Sequence, residues 1–181
     1  MRFRELAVAG ARLVETDLLG DGRGTFCRAW CAEEFLRADL PGTVSQASLS
    51  GNRLRGTLRG VHFRPAEAAE YKLVRCIRGA VYDVVLDLRP GSPTYLAWDA
   101  VTLTADAPNA VCIPPGCGHG FLTLEDDSEL LYMMSVPYVA GAERGVRWND
   151  PTFGIAWPNP PGVISDRDAS YADFTGAARG S

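Results

Sequence analysis

Residues 81–88 read Val-Tyr-Asp-Val-Val-Leu-Asp-Leu and have the length and composition of a β-strand. Because side chains alternate across a strand, Val81, Asp83, Val85 and Asp87 fall on one face and the four residues between them on the other. A basic residue followed by glycine precedes this run, and the turn sequence Arg-Pro-Gly-Ser follows it. The stretch is therefore predicted to be one strand bounded by two tight turns.

Further runs of strand length lie on both sides of this one. They occupy residues 43–50, 57–63, 71–77, 94–104, 110–113, 119–124 and 129–136. Short strands separated by glycine- and proline-rich turns favour an all-β sandwich or barrel of the jelly-roll type. Helix is predicted only at 31–38 and as one turn near 169–174. We expect a single domain over residues 1–175 and a flexible tail at 176–181.

Composition narrows the class of protein. The 181 residues are 46% hydrophobic and carry a net charge of -4, which argues against a nucleic-acid partner. No apolar run is long enough to span a membrane, and no apolar segment follows the charged N-terminus as it would in a signal peptide. The five cysteines are odd in number and contain no C-x-x-C pair, so a disulfide framework or thiolate zinc site is not expected. These features predict a cytoplasmic protein without membrane or nucleic-acid partners.

The chain contains a single lysine, Lys72, among its eighteen basic side chains. It begins the largely apolar run Lys72–Arg75, and the other basic side chains of the chain are all arginines. A lysine carries a compact ammonium that can approach one developing oxyanion, whereas an arginine presents a planar fork. Lys72 is therefore a candidate site residue, although a compositional bias toward arginine explains part of its isolation.

The two histidines, His62 and His119, are the other candidates for proton chemistry. Each has a structural alternative: His62 as a satisfied strand residue, and His119 as a loop residue bonded to a nearby carbonyl. They are 57 residues apart and neither belongs to an H-x-H pair, so a metal site would need several carboxylate ligands. We therefore predict no metal.

Two tyrosines and a set of arginines complete the candidates. Tyr132 lies in an apolar strand, either as a core aromatic or as a phenol facing a cavity, and Tyr138 follows a proline that suits the rim of a site. Arginines at positions 53, 55, 59 and 64 flank His62 among glycines. They form either a solvated edge strand or a clamp for a diphosphate.

Four motifs in this order carry a resemblance to a known family. They are Arg59-Gly60-Val61-His62-Phe63, Tyr71-Lys72-Leu73-Val74-Arg75, Pro114-x-Gly116-x-x-His119-Gly120-Phe121 and Arg144-Gly145-Val146-Arg147-Trp148-Asn149-Asp150-Pro151. Their order and spacing resemble the dTDP-4-dehydrorhamnose 3,5-epimerase family of nucleotide-sugar epimerases, from about residue 20 to about residue 168. The resemblance implies a metal-free, cofactor-free cupin-type jelly roll.

The resemblance also implies a catalytic set. His62 corresponds to the catalytic base, and Asp168, in a late S-x-x-D segment, to its carboxylate partner. Lys72 corresponds to the cation beside the C4 oxygen of the sugar, and Tyr132 to the acid on the opposite face of the ring. Epimerisation next to a ketone requires α-proton removal, enolate stabilisation and reprotonation, and these residue types suit those steps.

Substrate-binding positions and an assembly follow from the same resemblance. The implied homodimer exchanges N-terminal strands between subunits and acts on a dTDP-4-keto-6-deoxyhexose. The implied binding residues are Arg59, His119 and Arg167 for the diphosphate, Arg23, Phe26 and Gln46 for the base, and Tyr138 as a second tyrosine of the site.

Alternatives remain open at this point. Departures from the family pattern, including Arg28 and Cys117, leave room for inversion at C3 only or C5 only. A sugar 3,4-ketoisomerase, a non-catalytic sugar-binding jelly roll and a metal-dependent cupin are further alternatives.

One geometric expectation concerns β-strand alternation at the R-G-x-H motif. Regular alternation places Arg59 and His62 on opposite faces of their strand. If both contact the same ligand, the strand must bulge or bend at Gly60, which glycine permits.

Overall fold

A computed structural model of the chain describes residues 1–176. The tail predicted for residues 176–181 lies outside the described residues except for Gly176. The single domain over residues 1–175 stays a prediction.

The described chain is dominated by strands. They are β1 (Arg2–Glu5), β2 (Arg12–Glu15), β3 (Leu19–Asp21), β4 (Gly24–Phe26), β5 (Gln46–Asn52), β6 (Thr57–Phe63), β7 (Lys72–Arg78), β8 (Ala80–Asp87), β9 (Trp98–Thr104), β10 (Asn109–Ile113), β11 (Cys117–Thr123), β12 (Ser128–Met134), β13 (Arg144–Gly145) and β14 (Val163–Ile164). The helices are α1 (Ala32–Arg37), a 3₁₀ turn at Ala66–Ala68 and α2 (Asp166–Ala169). None of the helices in residues 1–176 has the length and apolar character needed to cross a membrane.

Two large sheets face each other across an apolar core. One has the strand order β1-β2-β10-β7-β12-β5, and the other has the order β13-β6-β11-β8-β9 with β14 added alongside β6. Val74 and Leu130 of the first sheet pack into one buried cluster with Val85 and Phe121 of the second. Because these residues alternate with outward-facing ones along each strand, both sheets are buried on their inner faces. The prediction of an all-β jelly-roll barrel with a few short helices is confirmed.

Some predicted boundaries were wrong for identifiable reasons. The strand expected at 94–104 begins only at Trp98, because Asp87 accepts hydrogen bonds from Ser92 and Thr94 and so holds the preceding segment in a turn. The helical turn expected near 169–174 lies at Asp166–Ala169, where the Ser165 side chain caps it.

The short strands at the N-terminus were not located from the sequence. β1 reads Arg-Phe-Arg-Glu and pairs with β2, which in turn pairs with β10 in the first sheet. A four-residue strand at the edge of a sheet buries little apolar surface, so its sequence carries only a weak hydrophobic pattern.

The R-G-x-H motif contains the irregularity expected at Gly60. His119 and Phe121 are two residues apart on β11, whereas their partners on β6, His62 and Arg59, are three apart. The extra residue is a β-bulge, and it turns Arg59 and His62 toward the same side of the sheet. Gly60 has φ +131°, and a Cβ atom there would lie 2.5 Å from the backbone of β11. Glycine is therefore required, and the predicted bulge is confirmed.

The hairpin formed by β3 and β4 stands apart from the two sheets. Among residues 1–176, these two strands pair only with each other. Phe26 at the end of β4 is 70% exposed, and Leu19 is similarly exposed at the start of β3. The hairpin is a projecting arm with apolar side chains on its surface.

Candidate active site

A cavity of about 650 Å³ opens between the two sheets. The bulge on β6 brings Arg59 and His62 into its wall, and residues of β7 and β12 approach from the opposite sheet. Of the predicted site residues, those that line it are Gln46, Arg59, His62, Lys72, His119, Tyr132, Tyr138, Arg167 and Asp168.

His62 is paired with Asp168 as the sequence suggested. The Nε2 atom of His62 lies 2.7 Å from Oδ1 of Asp168. The second carboxylate oxygen accepts a hydrogen bond of 3.1 Å from the backbone N–H of Gly60. An aspartate bonded to Nε2–H holds the imidazole in the tautomer whose Nδ1 lone pair is free. The ring therefore has one fixed nitrogen and one nitrogen available as a base.

The position of Asp168 follows from its local sequence. Ser165 caps helix α2, and its side-chain oxygen accepts the Asp168 N–H at 3.1 Å. β14, just before this cap, pairs in parallel with β6, with Ile164 beside Leu58. Helix α2 is thereby tied to the strand that carries His62, and the Asp168 side chain is almost fully buried.

Lys72 lies in a small charged cluster on the other sheet. Its Nζ atom is paired with Glu70, whose second oxygen accepts a hydrogen bond of 2.8 Å from Arg64. Met134 is the partner of Lys72 on the neighbouring strand β12, so Lys72 and Tyr132 face the same interior. The buried carboxylate of Glu70 lies between two cations and binds the ammonium of Lys72 at the cavity.

Tyr132 packs edge-to-face against a second histidine–aspartate pair. The rings of Tyr132 and His119 are 5.7 Å apart, and His119 Nε2 lies 2.9 Å from Oδ2 of the fully buried Asp83. Burial raises the pKa of Asp83, and the hydrogen bond and charge of His119 oppose that shift. Burial, with a smaller contribution from Asp83, raises the pKa of Tyr132 well above its ordinary value. The phenol therefore stays protonated near neutral pH.

Two arginines at the cavity wall are held in fixed orientations. Arg59 donates from Nε to the side-chain oxygen of Asn52 at 2.8 Å. Arg167 lies over the ring of Tyr171 at 5.9 Å and donates from Nη2 to Glu143 at 3.5 Å. Guanidinium groups fixed in this way present their remaining N–H donors to an anionic ligand.

Of the three residues predicted to bind the base, one lines the cavity and two do not. Gln46 lines the cavity and accepts a hydrogen bond of 2.8 Å from the Tyr138 backbone N–H, so these two residues are linked at the rim. Arg23 and Phe26 lie on the projecting arm and are not among the residues that line the cavity of their own chain.

Three acidic residues of the site were not identified from the sequence. Asp83 shares a face of β8 with buried valines, and its carboxylate reaches His119 only across the sheet. Glu70 precedes Lys72 by two residues, the spacing of neighbours on one face of an extended chain, which was the available signal. Glu143 stands directly before the R-G-V motif, and only the pairing of β13 with β6 brings it near His62.

No metal-binding arrangement is present within residues 1–176. No group of three or more histidine, cysteine or acidic side chains is arranged to hold an ion there. Each of the two histidines is instead paired with one aspartate. The absence of a metal and of a cofactor stays a prediction.

The fold and the cavity together define a cupin-type jelly roll whose cavity has a histidine–aspartate pair on one sheet and a lysine and a tyrosine on the other, and the family to which it belongs is one of isomerase-type enzymes. Comparison with known proteins identifies the family. The model of the dTDP-4-dehydrorhamnose 3,5-epimerase family matches residues 5–175. This chain belongs to that family, as the sequence motifs predicted.

Individual relatives agree with this assignment. A dTDP-4-dehydrorhamnose 3,5-epimerase of Streptomyces griseus is 46% identical, over 92% of this chain and 83% of the relative. A dTDP-4-dehydrorhamnose 3-epimerase of Streptomyces niveus is 38% identical, over 93% of this chain and 81% of the relative. The crystal structure of dTDP-4-dehydrorhamnose 3,5-epimerase from Bacillus anthracis with TDP and pyrophosphate bound superimposes with a TM-score of 0.90 at 33% identity, covering 96% of this chain and 99% of the other. The predicted family, fold and enzyme class are confirmed.

Proposed function

We propose that this protein inverts C3 and C5 of a dTDP-4-keto-6-deoxyhexose through enolate intermediates, without a cofactor. The observation that carries this proposal is the pairing of His62 with Asp168 on one wall of the cavity, opposite Lys72 and Tyr132 from the other sheet. The two relatives described above are named for their action on dTDP-4-dehydrorhamnose. The B. anthracis structure carries the same name and has TDP and pyrophosphate bound.

His62 begins the reaction at a carbon next to the C4 ketone. Its Nδ1 lone pair takes the α-proton, and the electron pair of the C–H bond moves to form the enolate. Asp168 stabilises the imidazolium that results and keeps its ring oriented, a role supported by the 2.7 Å contact.

Lys72 and Tyr132 complete the inversion. The ammonium of Lys72 stabilises the negative charge on the C4 oxygen as it develops. Tyr132 then gives its proton to carbon from the face opposite His62, which sets the new configuration: its O–H bond breaks as the new C–H bond forms, and the tyrosinate regains a proton originating from solvent before the next inversion. The position of Tyr132 in the cavity, on the sheet opposite that of His62, supports this assignment.

The arginines and the rim residues bind the nucleotide. Arg59, Arg167 and His119 all line the cavity, and their N–H groups donate hydrogen bonds to the diphosphate. Gln46 and Tyr138 contact the nucleoside end at the rim, where they are joined by a hydrogen bond.

The active assembly is a homodimer in which N-terminal strands are exchanged. Two observations support this proposal: the β3–β4 arm pairs with no other strand in the described part of the chain, and it exposes Phe26 and Leu19. An arm of this kind covers its apolar surface by docking on a second copy. Arg23 and Phe26 would then complete the base pocket of the partner rather than their own.

We also propose that the enzyme acts in the cytoplasm. All five cysteines are free, including the two half-buried ones, Cys27 and Cys31. Unpaired thiols suit a reducing compartment. Cell fractionation with an antibody against the chain tests this placement.

Solvent exchange tests the reaction. The purified protein is incubated with dTDP-4-keto-6-deoxyglucose in deuterated water, and the product is examined by mass spectrometry and NMR. Deuterium at both C3 and C5 supports the proposal. Deuterium at one carbon identifies a mono-epimerase, the alternative favoured by the similarity to the S. niveus 3-epimerase. Absence of deuterium from this and related ketosugar nucleotides would contradict an epimerase and leave a binding jelly roll.

Subunit mixing tests the exchanged arm. The variant H62A keeps an intact arm but lacks the base, and the double variant R23A/F26A keeps the base but lacks the two arm side chains proposed to complete the base pocket. If the arm serves the partner, each mixed dimer contains one complete site, and activity returns when the two inactive variants are co-refolded. No recovery, or a monomeric wild type in analytical ultracentrifugation, would contradict the proposal.

A further inference from the structure

Glu143 is the acidic side chain nearest to the free nitrogen of His62. Its Oε1 atom lies 4.0 Å from His62 Nδ1, and its Oε2 atom lies 3.5 Å from Nη2 of Arg167. The antiparallel pairing of β13 with β6, in which Gly145 lies beside His62, fixes this position. The Glu143 side chain lines the cavity and is 41% exposed, so it contacts both the site and the solvent.

The proposed reaction leaves His62 with a proton that it must lose. After each abstraction the imidazolium carries the former α-proton on Nδ1, and inversion at two carbons requires the base to act twice. Asp168 does not lead to water: its side chain is 5% exposed and its second oxygen is bonded to the Gly60 N–H. The proton therefore leaves from the Nδ1 side.

We propose that Glu143 is a proton-relay residue that restores His62 to its basic form. This inference rests on the proposed epimerase function. In the relay, the Nδ1–H bond breaks and its electron pair returns to the imidazole, while a new O–H bond forms on Oε1 of Glu143. The 4.0 Å separation is bridged by one water molecule or by rotation of the Glu143 side chain. Glu143 then releases the proton to solvent through its exposed edge, which regenerates the carboxylate.

A simpler role for Glu143 is to orient Arg167 for the diphosphate. That role predicts weaker substrate binding when Glu143 is changed, with an increase in KM and no effect of added acids or bases. The relay predicts a different result: the first proton abstraction is unaffected, and later abstractions are slow because His62 stays protonated.

The chain offers a matched control for this test. Glu129, on β12, is 42% exposed and its Oε1 atom lies 3.8 Å from Nη1 of Arg78. It is therefore an equally exposed carboxylate facing an arginine, but it does not line the cavity. The substitution Glu129→Gln should leave turnover unchanged.

The experiment compares E143Q, E143A and E129Q with the wild type in deuterated water, using rapid quench to separate the first exchange from the later ones. For E143Q and E143A we expect the first exchange at the wild-type rate and steady-state turnover slower by at least about tenfold. Formate added to E143A should restore the steady-state rate, since a small carboxylate can replace the missing acceptor. Thermal melting of each variant confirms that it is folded.

Three outcomes would overturn the relay. One is steady-state turnover of E143Q close to that of the wild type. Another is a loss confined to KM without rescue by formate, which assigns Glu143 to orienting Arg167. The third is the absence of exchange in the wild type itself, which would overturn the proposed epimerase function, and the relay with it.

Discussion

The two histidine–aspartate pairs of this molecule have the same chemical groups and different surroundings. His62 is paired with Asp168 over 2.7 Å, and its side chain is 23% exposed at the cavity. His119 is paired with Asp83 over 2.9 Å, but its side chain is only 7% exposed and the carboxylate is fully buried. The first pair joins a strand to a short helix, and the second joins two adjacent strands within one sheet.

This difference in exposure favours His62 over His119 as the proposed base. His62 has a nitrogen that faces the cavity and, beyond it, Glu143. His119 lines the same cavity but is less exposed, because the ring of Tyr132 packs against it and its Nε2 atom is bonded to Asp83. The other oxygen of that aspartate, Oδ1, has no hydrogen-bond partner within the described residues. The proposed base is therefore the histidine whose second nitrogen faces an exposed carboxylate across the cavity.

The largest effect is expected for His62→Ala. Turnover should fall at least about 100-fold because the base is removed, while the melting temperature stays near that of the wild type since His62 is partly exposed. Steady-state kinetics and calorimetry provide the two measurements. Near-normal turnover would show that His62 is not the base, and the two pairs would then no longer differ in proposed role.

Lys72→Arg tests the wall that faces the His62–Asp168 pair. A guanidinium keeps the charge and the contact to Glu70 but spreads its donors over a planar fork, so we expect turnover to fall about 10- to 100-fold. The circular dichroism spectrum should be unchanged. If the variant turns over normally, a compact cation is not needed at the C4 oxygen.

Asp87→Asn provides a reference for the buried carboxylate of the second pair, because Asp87 and Asp83 lie on the same face of β8 and both are fully buried. Burial acts to raise the pKa of Asp87, but hydrogen bonds from Arg89, Ser92 and Thr94 outweigh it and lower the pKa from 3.8 to about 2. The stabilisation is therefore complete above about pH 4 and is lost as the pH falls toward 2. We expect the free energy of unfolding of D87N at neutral pH to be about 2 kcal/mol lower than that of the wild type, as measured by urea denaturation. Stability that fell between pH 4 and 2 as steeply in D87N as in the wild type would contradict this.

A smaller loss is expected for Asp83→Asn. Because burial raises the pKa of Asp83, removal of its charge should cost less than at Asp87, about 1 kcal/mol in the free energy of unfolding. The amide can still bond to His119, so turnover should fall far less than in the His62 variant. Turnover as low as that of H62A would show that both pairs take part in the chemistry.

Sequence motifs located several cavity-lining residues, because each of these residues has distinctive neighbours in the sequence. The R-G-x-H and K-L-V-R motifs predicted His62 and Lys72, and the late S-x-x-D segment predicted Asp168, all of which line the cavity. Their functional roles remain predictions. The sequence could also indicate that Gly60 interrupts the alternation, because two ligand-facing residues three apart require a bulge.

What the sequence could not supply are contacts between distant strands. The Asp83–His119 pair joins residues 36 apart, and the approach of Glu143 to His62 depends on a two-residue strand that has no periodic signal of its own. That Arg23 lies outside the cavity could not be predicted for the same reason. Only the three-dimensional arrangement shows which part of the chain the arm can reach.

The bulge at Gly60 has a consequence for how the base can be altered by mutation. Regular alternation would place Arg59 and His62, three residues apart, on opposite faces of β6, so the extra residue is what turns both toward the cavity. It leaves a main-chain N–H out of the ladder, and that N–H binds Asp168. A backbone donor is common to every residue except proline, but there is no room for a Cβ atom at Gly60, so a side-chain substitution there would disturb the strand before it tested this contact. Only an altered main chain, such as an amide-to-ester exchange introduced by chemical synthesis, would remove the donor itself and measure its contribution to catalysis.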